Sequence, residues 1–290
     1  MMQITICNES SMCSAVRHHL AALLLVTVTV VHVAHAGDLP RPDHVVVVIE
    51  ENRGYAQIMD KHNSGSYIHA LARRGALLSE SYGVSHPSQP NYLALFSGST
   101  QGVENNGCPH SFNTANLASA LRDAGYSFTS FAESLPATGD LGCASGPYRR
   151  KHNPATNWQG TGLPAEINQR FADFPWDFSR LPTVSFVIPD QNNDMHDGNF
   201  ETADQWLKSH IGPYIDWAMT HNSLFILTWD EDDARQENHV VTLLVGPMVK
   251  AGISAQHIDH YSVLRTLLEF YSLPALGASR EVPPIKAIWR

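Results

Sequence analysis

The chain has 290 residues, of which 43% are hydrophobic and 16% charged, with a formal net charge of −9. That apolar content supports a large buried core and excludes a disordered or fibrous chain. The acidic balance makes nucleic acid and anionic membrane surfaces poor partners by bulk charge.

In chain order, the first feature is a leader. Arg17, His18 and His19 precede an apolar run from Leu20 to Val33, and Ala34-His35-Ala36 supplies small residues around a cleavage point. This predicts a secretory signal peptide over residues 1–36, cut after Ala36, and a secreted single domain over 37–290. The run is short for a membrane span, and no later segment is long and apolar enough to be one. The stretch before Met12 leaves Met1 and Met12 as alternative starts. Loss of the leader removes one basic residue, Arg17, and one acidic one, Glu9, so the charge of −9 is kept. It also leaves Cys108 and Cys143 as the mature cysteines, predicting one disulfide in an exported chain, with free thiols as the alternative.

His44 to Glu50, HVVVVIE, is a continuous β-branched run, as expected of a strand buried on both faces of a parallel sheet. Further strands are predicted at 126–132, 183–188, 223–229 and 240–245. Helices are predicted at Ser66 to Arg74, Thr114 to Asp123, Thr202 to Ile211, Pro213 to Thr220, and Tyr261 to Tyr271 with Asp259 as N-cap. The alternation argues for a mostly parallel sheet between helices. Gly139 to Phe178, rich in Gly, Pro, Trp and Asn, is predicted to be a long irregular excursion over the active face.

One turn stands out, SHPSQPNYLALFSG from Ser85 to Gly98. Pro87 and Pro90 are predicted to hold Ser88 and Gln89 in a stiff, non-helical turn that presents Ser88 to solvent instead of packing it, with a helix following Asn91 and ending at Gly98. A hydroxyl at a helix N-terminus is favourably placed to meet an anion. Open parallel sheets bind ligands beyond the carboxyl ends of their strands. There the sequence places Glu50, Glu51, Asn52 and Arg53, then Asp190, Asp194, His196 and Asp197, then Asp230 to Asp233. Any one of these reads equally well as a helix cap or a solvated turn. Together with Ser88 they make an oxygen-rich set suited to a divalent cation and a phosphate.

IEENRGY, SQPNYLALFSG, YRRKHNP, NDMHDG, TWDEDD and HYSVLRTLLEFYSLP, in this order, resemble the bacterial phosphoesterase family that joins secreted acid phosphatases with phospholipases C, within the alkaline phosphatase superfamily. The resemblance runs from about His44 to Trp289 and lies nearest the mycobacterial acid phosphatases. It implies an alkaline-phosphatase-like α/β fold and hydrolysis of phosphate monoesters, with phosphoinositide headgroups such as that of phosphatidylinositol 3-phosphate among the substrates. It implies Ser88 as nucleophile, with a phosphoserine intermediate, and His196 as the acid that protonates the leaving oxygen, oriented by Asp194 or Asp197. Glu51 and Asn52 then hold the cation or the phosphate, and Asp230 and Glu231 complete the metal site. Asn91, Lys151 and His152 are implied phosphate contacts. His260 matches too, either as a phosphate contact or as a helix cap, and Arg149 and Arg150 read equally as a solvated basic loop.

Two departures qualify the resemblance. Asp230-Glu231 stands where two-metal members of the superfamily place Asp-His, which favours one divalent cation of unspecified identity, or none, over two. ENHVVT at 237–242 lacks a basic residue and proline found in related chains, leaving His239 as the candidate contact there. The rival readings are a phospholipase C-type diesterase and a silent exported protein that binds phosphate or phosphoinositides.

Overall fold

The computed structural model describes residues 39–290; the expected leader and its Ala36 boundary lie outside them. The elements are β1 (His44–Glu50), α1 (Tyr55–Ile58), α2 (Tyr67–Arg74), β2 (Ala76–Tyr82), α3 (Ser88–Ser97), α4 (Leu117–Asp123), β3 (Phe128–Ala132), β4 (Ala144–Ser145), β5 (Tyr148–Arg149), β6 (Asn168–Arg170), β7 (Val184–Ile188), α5 (Phe200–Trp206), α6 (Gly212–Ala218), β8 (Ser223–Trp229), β9 (His239–Val245), β10 (Gly252–Asp259) and α7 (His260–Phe270).

Val45 to Val48 are fully buried because β1 lies in the middle of an eight-stranded sheet ordered β10-β2-β9-β8-β1-β7-β3-β6. β9 runs antiparallel to β8 and β2, and every other pairing in this sheet is parallel. Val45, Val47 and Ile49 face one helical layer, α3, α4 and α7; Val46 and Val48 face the other, α2, α5 and α6. This is the predicted α/β sandwich, with the carboxyl ends of its parallel strands gathered at one edge.

The expected strand at 126–132 begins two residues later, and α4 starts at Leu117 because Asn116 caps it, accepting from Ser119 N at 2.9 Å. α5 begins earlier than expected and passes into a π-turn over Leu207–Ile211. β2 and β10 are strands the sequence did not predict, and they form one end of the sheet. The excursion is a chain of 3₁₀ turns, the β4–β5 hairpin and the edge strand β6. The expected Cys108–Cys143 disulfide is formed and ties its first part to the loop after α3. Arg150 is no solvated loop residue. It is buried, and its guanidinium donates to the carbonyls of Leu141 (2.6 Å), His110 (3.0 Å) and Thr156 (3.0 Å), stitching the same loops together.

Candidate active site

β1 and β8 are adjacent and parallel, with Glu50 in register with Trp229, so the residues that follow them meet at the sheet edge. Asp230 N–H donates to the Glu50 carbonyl (3.0 Å), and Asn52 N–H to Asp230 Oδ1 (3.2 Å). Asn52 turns the chain there with a φ of +52°, one of the few non-glycine residues in the left-handed region. β7 delivers Asp194, whose carbonyl accepts from Glu51 N–H at 2.8 Å.

α3 brings the hydroxyl. It begins at Ser88 itself and ends at Gly98, which takes the left-handed conformation (φ +74°) that spares glycine the strain of a Cβ. Ser88 Oγ lies 3.0 Å from Glu51 Oε2 and 2.9 Å from Glu231 Oε1. The expectation that the prolines present Ser88 to solvent is corrected: the residue is 1% exposed. The reason is the loop after β8. Asp232 gathers the N–H groups of Ala234, Gln236 and Asn238, and Asn238 Nδ2 then donates to the Ser85 carbonyl at 2.9 Å, drawing the loop over the turn.

Asn91 is a second correction. Its Oδ1 accepts from Val84 N (2.9 Å) and Ser85 N (3.0 Å), and its Nδ2 donates to the Ser85 carbonyl (2.8 Å) and, at 3.4 Å, to that of Pro87, so both ends of the amide are spent on the turn. His260 is a third. It is buried, and its Nε2 donates to the Asp230 carbonyl at 2.6 Å, bracing the strand end from behind. Burial pushes its pKa down, consistent with a neutral ring. His239 also points elsewhere, stacked on Tyr55 and bonded to the Ser79 carbonyl.

The excursion delivers His152, also buried. Its Nε2 approaches Glu51 Oε1 to 2.8 Å and its Nδ1 approaches Asp194 Oδ2 to 3.4 Å, as charge contacts without aligned hydrogen bonds. Lys151 beside it is half-buried. Burial alone would raise Glu51, but His152 and then Lys151 outweigh it and hold the carboxyl at about 2. Burial pushes Asp230 well up, with the charges of Glu51 and Glu231 adding to it. Glu231 is raised by burial too, against the opposing bonds of Ser88 and His86. Glu50, buried on the far face of β1 with neither oxygen partnered, is pushed well up by the same desolvation.

His196 stands at the rim of a cleft of about 380 Å3 with Asn52, Arg53, His86 and Glu231. Of the two acids expected to orient it, Asp197 takes the ring, with Oδ1 at 2.7 Å from Nδ1, while Asp194 Oδ1 accepts its backbone N–H at 2.8 Å. Gln191 Nε2 also lies 3.1 Å from Nδ1, and the ring forms part of the cleft wall. A second cavity of about 210 Å3, lined by Leu141, Trp158, Leu163 and Ile167, has no titratable side chain in its wall and does not qualify as a reaction site.

Two residues of the site were missed in the sequence. Tyr92 donates its hydroxyl to Glu51 Oε1 at 2.8 Å and stacks on His152. His86 contacts Glu231 Oε2 through Nδ1 at 2.5 Å. The available signals were the four-residue spacing of Ser88 and Tyr92, which puts both on one face of a helix, and the position of His86 beside the stiffened turn.

Among the described residues no three His, Cys, Asp or Glu side chains stand as a ready-made cation cage. The donor set nevertheless fits an oxygen-seeking cation. Asp230 Oδ2 is buried without a partner, and two carboxylates crowd one hydroxyl that has a single proton to give.

A family model described as the Phosphoesterase family matches residues 60–274. A phosphatidylinositol-3-phosphatase of Mycobacterium tuberculosis is 45% identical over 257 residues, 88% of this chain and 85% of that protein. A phosphate-repressible acid phosphatase of Penicillium chrysogenum is 32% identical over 71% of this chain, which spans only 54% of the fungal protein. Among solved structures, an alkaline phosphatase superfamily protein from Vibrio parahaemolyticus aligns with a TM-score of 0.57 over 86% of this chain and 71% of its own, at 13% identity, a likeness of fold alone.

Proposed function

This chain belongs to the phosphoesterase family, and on that premise we propose that it hydrolyses phosphate monoesters by attack of Ser88 on phosphorus. It is a hydrolase of phosphoric esters, with acid phosphatases among its relatives. The observation that carries the residue assignment is the bracketing of Ser88 Oγ by Glu51 and Glu231 at the first turn of α3. The N-terminal turn of a helix favours an anion beside that hydroxyl.

In this mechanism the Ser88 oxygen forms a bond to phosphorus as the ester oxygen departs in line, and its proton passes to a facing carboxylate oxygen. His196 Nε2 gives a proton to the leaving oxygen while Asp197 holds Nδ1. Water then attacks the phosphoserine phosphorus, the bond to the Ser88 oxygen breaks, that oxygen takes back its proton from the carboxylate, and inorganic phosphate leaves. His152 and Lys151 keep Glu51 ionised beside the phosphate. A divalent cation held by Glu51, Asn52, Asp230 and Glu231 would acidify the Ser88 hydroxyl and neutralise phosphate oxygens.

Phosphatidylinositol 3-phosphate is the substrate supported by the 45% identical relative. Export is supported by the apolar segment from Leu20 to Val33 and by the disulfide. The test is release of inorganic phosphate from p-nitrophenyl phosphate and from vesicles containing phosphatidylinositol 3-phosphate, with wild type and Ser88→Ala, with and without chelator. Wild-type turnover falling by about 10³-fold or more in Ser88→Ala is expected. Equal activity of the two proteins would overturn the assignment, and a fall on chelation reversed by added metal is the expected sign of a cation.

A further inference from the structure

We propose that His86 is a positioning residue for this phosphoryl transfer, holding the Glu231 carboxylate against the Ser88 hydroxyl. The inference rests on the phosphatase reading above and deepens it.

Glu231 has one oxygen on each side of the contact: Oε1 meets Ser88 at 2.9 Å, and Oε2 takes His86 Nδ1 at 2.5 Å. The two oxygens belong to one rigid planar group, so fixing Oε2 fixes where Oε1 points. Without that anchor a glutamate can spend its time in other rotamers, because its three side-chain torsions are free to turn.

The imidazole is itself braced. Its Nε2 lies 3.3 Å from Asp232 Oδ1. The Asp232 carboxylate is in turn pinned by the N–H groups of Ala234 (2.7 Å), Gln236 (2.5 Å) and Asn238 (3.2 Å). From the other side, Asn91 and Asn238 hold the turn that carries the His86 backbone, through Ser85. The His86 ring thus spans two segments more than 140 residues apart in sequence, the one bearing Ser88 and the one bearing Glu231. Core packing does not account for it, since the side chain is 40% exposed at the cleft rim. Supporting groups of this kind commonly decide whether a reactive constellation is tight or loose.

The experiment compares His86→Ala, His86→Asn and His86→Gln with wild type on p-nitrophenyl phosphate, with melting temperatures alongside. Asparagine places its amide nitrogen near the position of Nδ1, whereas glutamine places it near Nε2, on the Asp232 side. The expected result is a fall in kcat of about 50-fold for His86→Ala with KM changed less than about threefold, recovery by His86→Asn to within about fivefold of wild type, and no recovery by His86→Gln. A merely structural role would not separate the two amides. His86→Ala retaining more than about a third of wild-type kcat, or His86→Gln recovering as well as His86→Asn, would overturn the proposal. If His86→Ala does not fold, the contrast between the amides decides alone. An inactive wild type would overturn the phosphatase reading itself, an outcome distinct from an active enzyme indifferent to His86.

Discussion

Tyr92 illustrates chemistry hidden in an apolar helix position. In the sequence it reads as one of the core residues of α3, and its ring is indeed buried, stacked on His152 with centroids 5.2 Å apart. Its hydroxyl is one helical turn below Ser88 and donates to Glu51, the carboxylate that Ser88 also meets. Burial pushes the phenol well up, so it remains a donor. Tyr92→Phe keeps the stack and removes that donor; kcat is expected to fall about tenfold, with less than about 2 kcal/mol lost in urea unfolding. Asn91 is the converse, a polar residue that invites a catalytic role and serves the turn. Asn91→Ala unpairs the N–H groups of Val84 and Ser85 and is expected to cost about 2–3 kcal/mol of stability by the same unfolding measurement. Residue type and spacing marked Asn91 as a site position, whereas Tyr92 passed as core. Which way each polar atom turns is set by partners far along the chain, and this was not legible.

At the scale of elements, legibility followed burial. β1 and β8 were read to the residue because strands buried on both faces are uninterrupted apolar runs. β2, with the sequence ALLSESY, and β10, GISAQHID, escaped because polar residues break their pattern. β10 is an edge strand with Ile253 exposed, so only half of it needs to be apolar. The site segments NDMHDG and TWDEDD were legible as clusters, since acids after apolar strands are conspicuous, whereas their internal wiring was not. Gly198 closes the first of them: a Cβ there would lie 1.9 Å from the Asn192 carbonyl oxygen. Gly198→Ala must therefore displace the loop that carries Asp194 and His196. Steady-state assays are expected to give a kcat at least about tenfold lower.

At the scale of the molecule, the excursion depends on staples in place of regular hydrogen bonding. The disulfide joins residues 35 apart, and Arg150 fastens the same loops through their carbonyls. Denaturant unfolding with and without reductant is expected to differ by about 3–4 kcal/mol, the loop-closure contribution for a ring of this size. His152 follows directly on this stapled segment, so activity is expected to fall with the structure when the bond is reduced.

The pairing of β1 with β8 has a consequence in time. β1 is made early in synthesis, but its neighbour arrives more than 170 residues later, and Asp230 and Glu231 come after that. A nascent chain thus has Ser88 long before it has the carboxylates that complete its surroundings. Contacts this distant along the chain also form late in folding, since loop closure must precede them. A chain halted before Glu231 is therefore expected to release no phosphate from p-nitrophenyl phosphate, because it has Ser88 but only part of the site built around it.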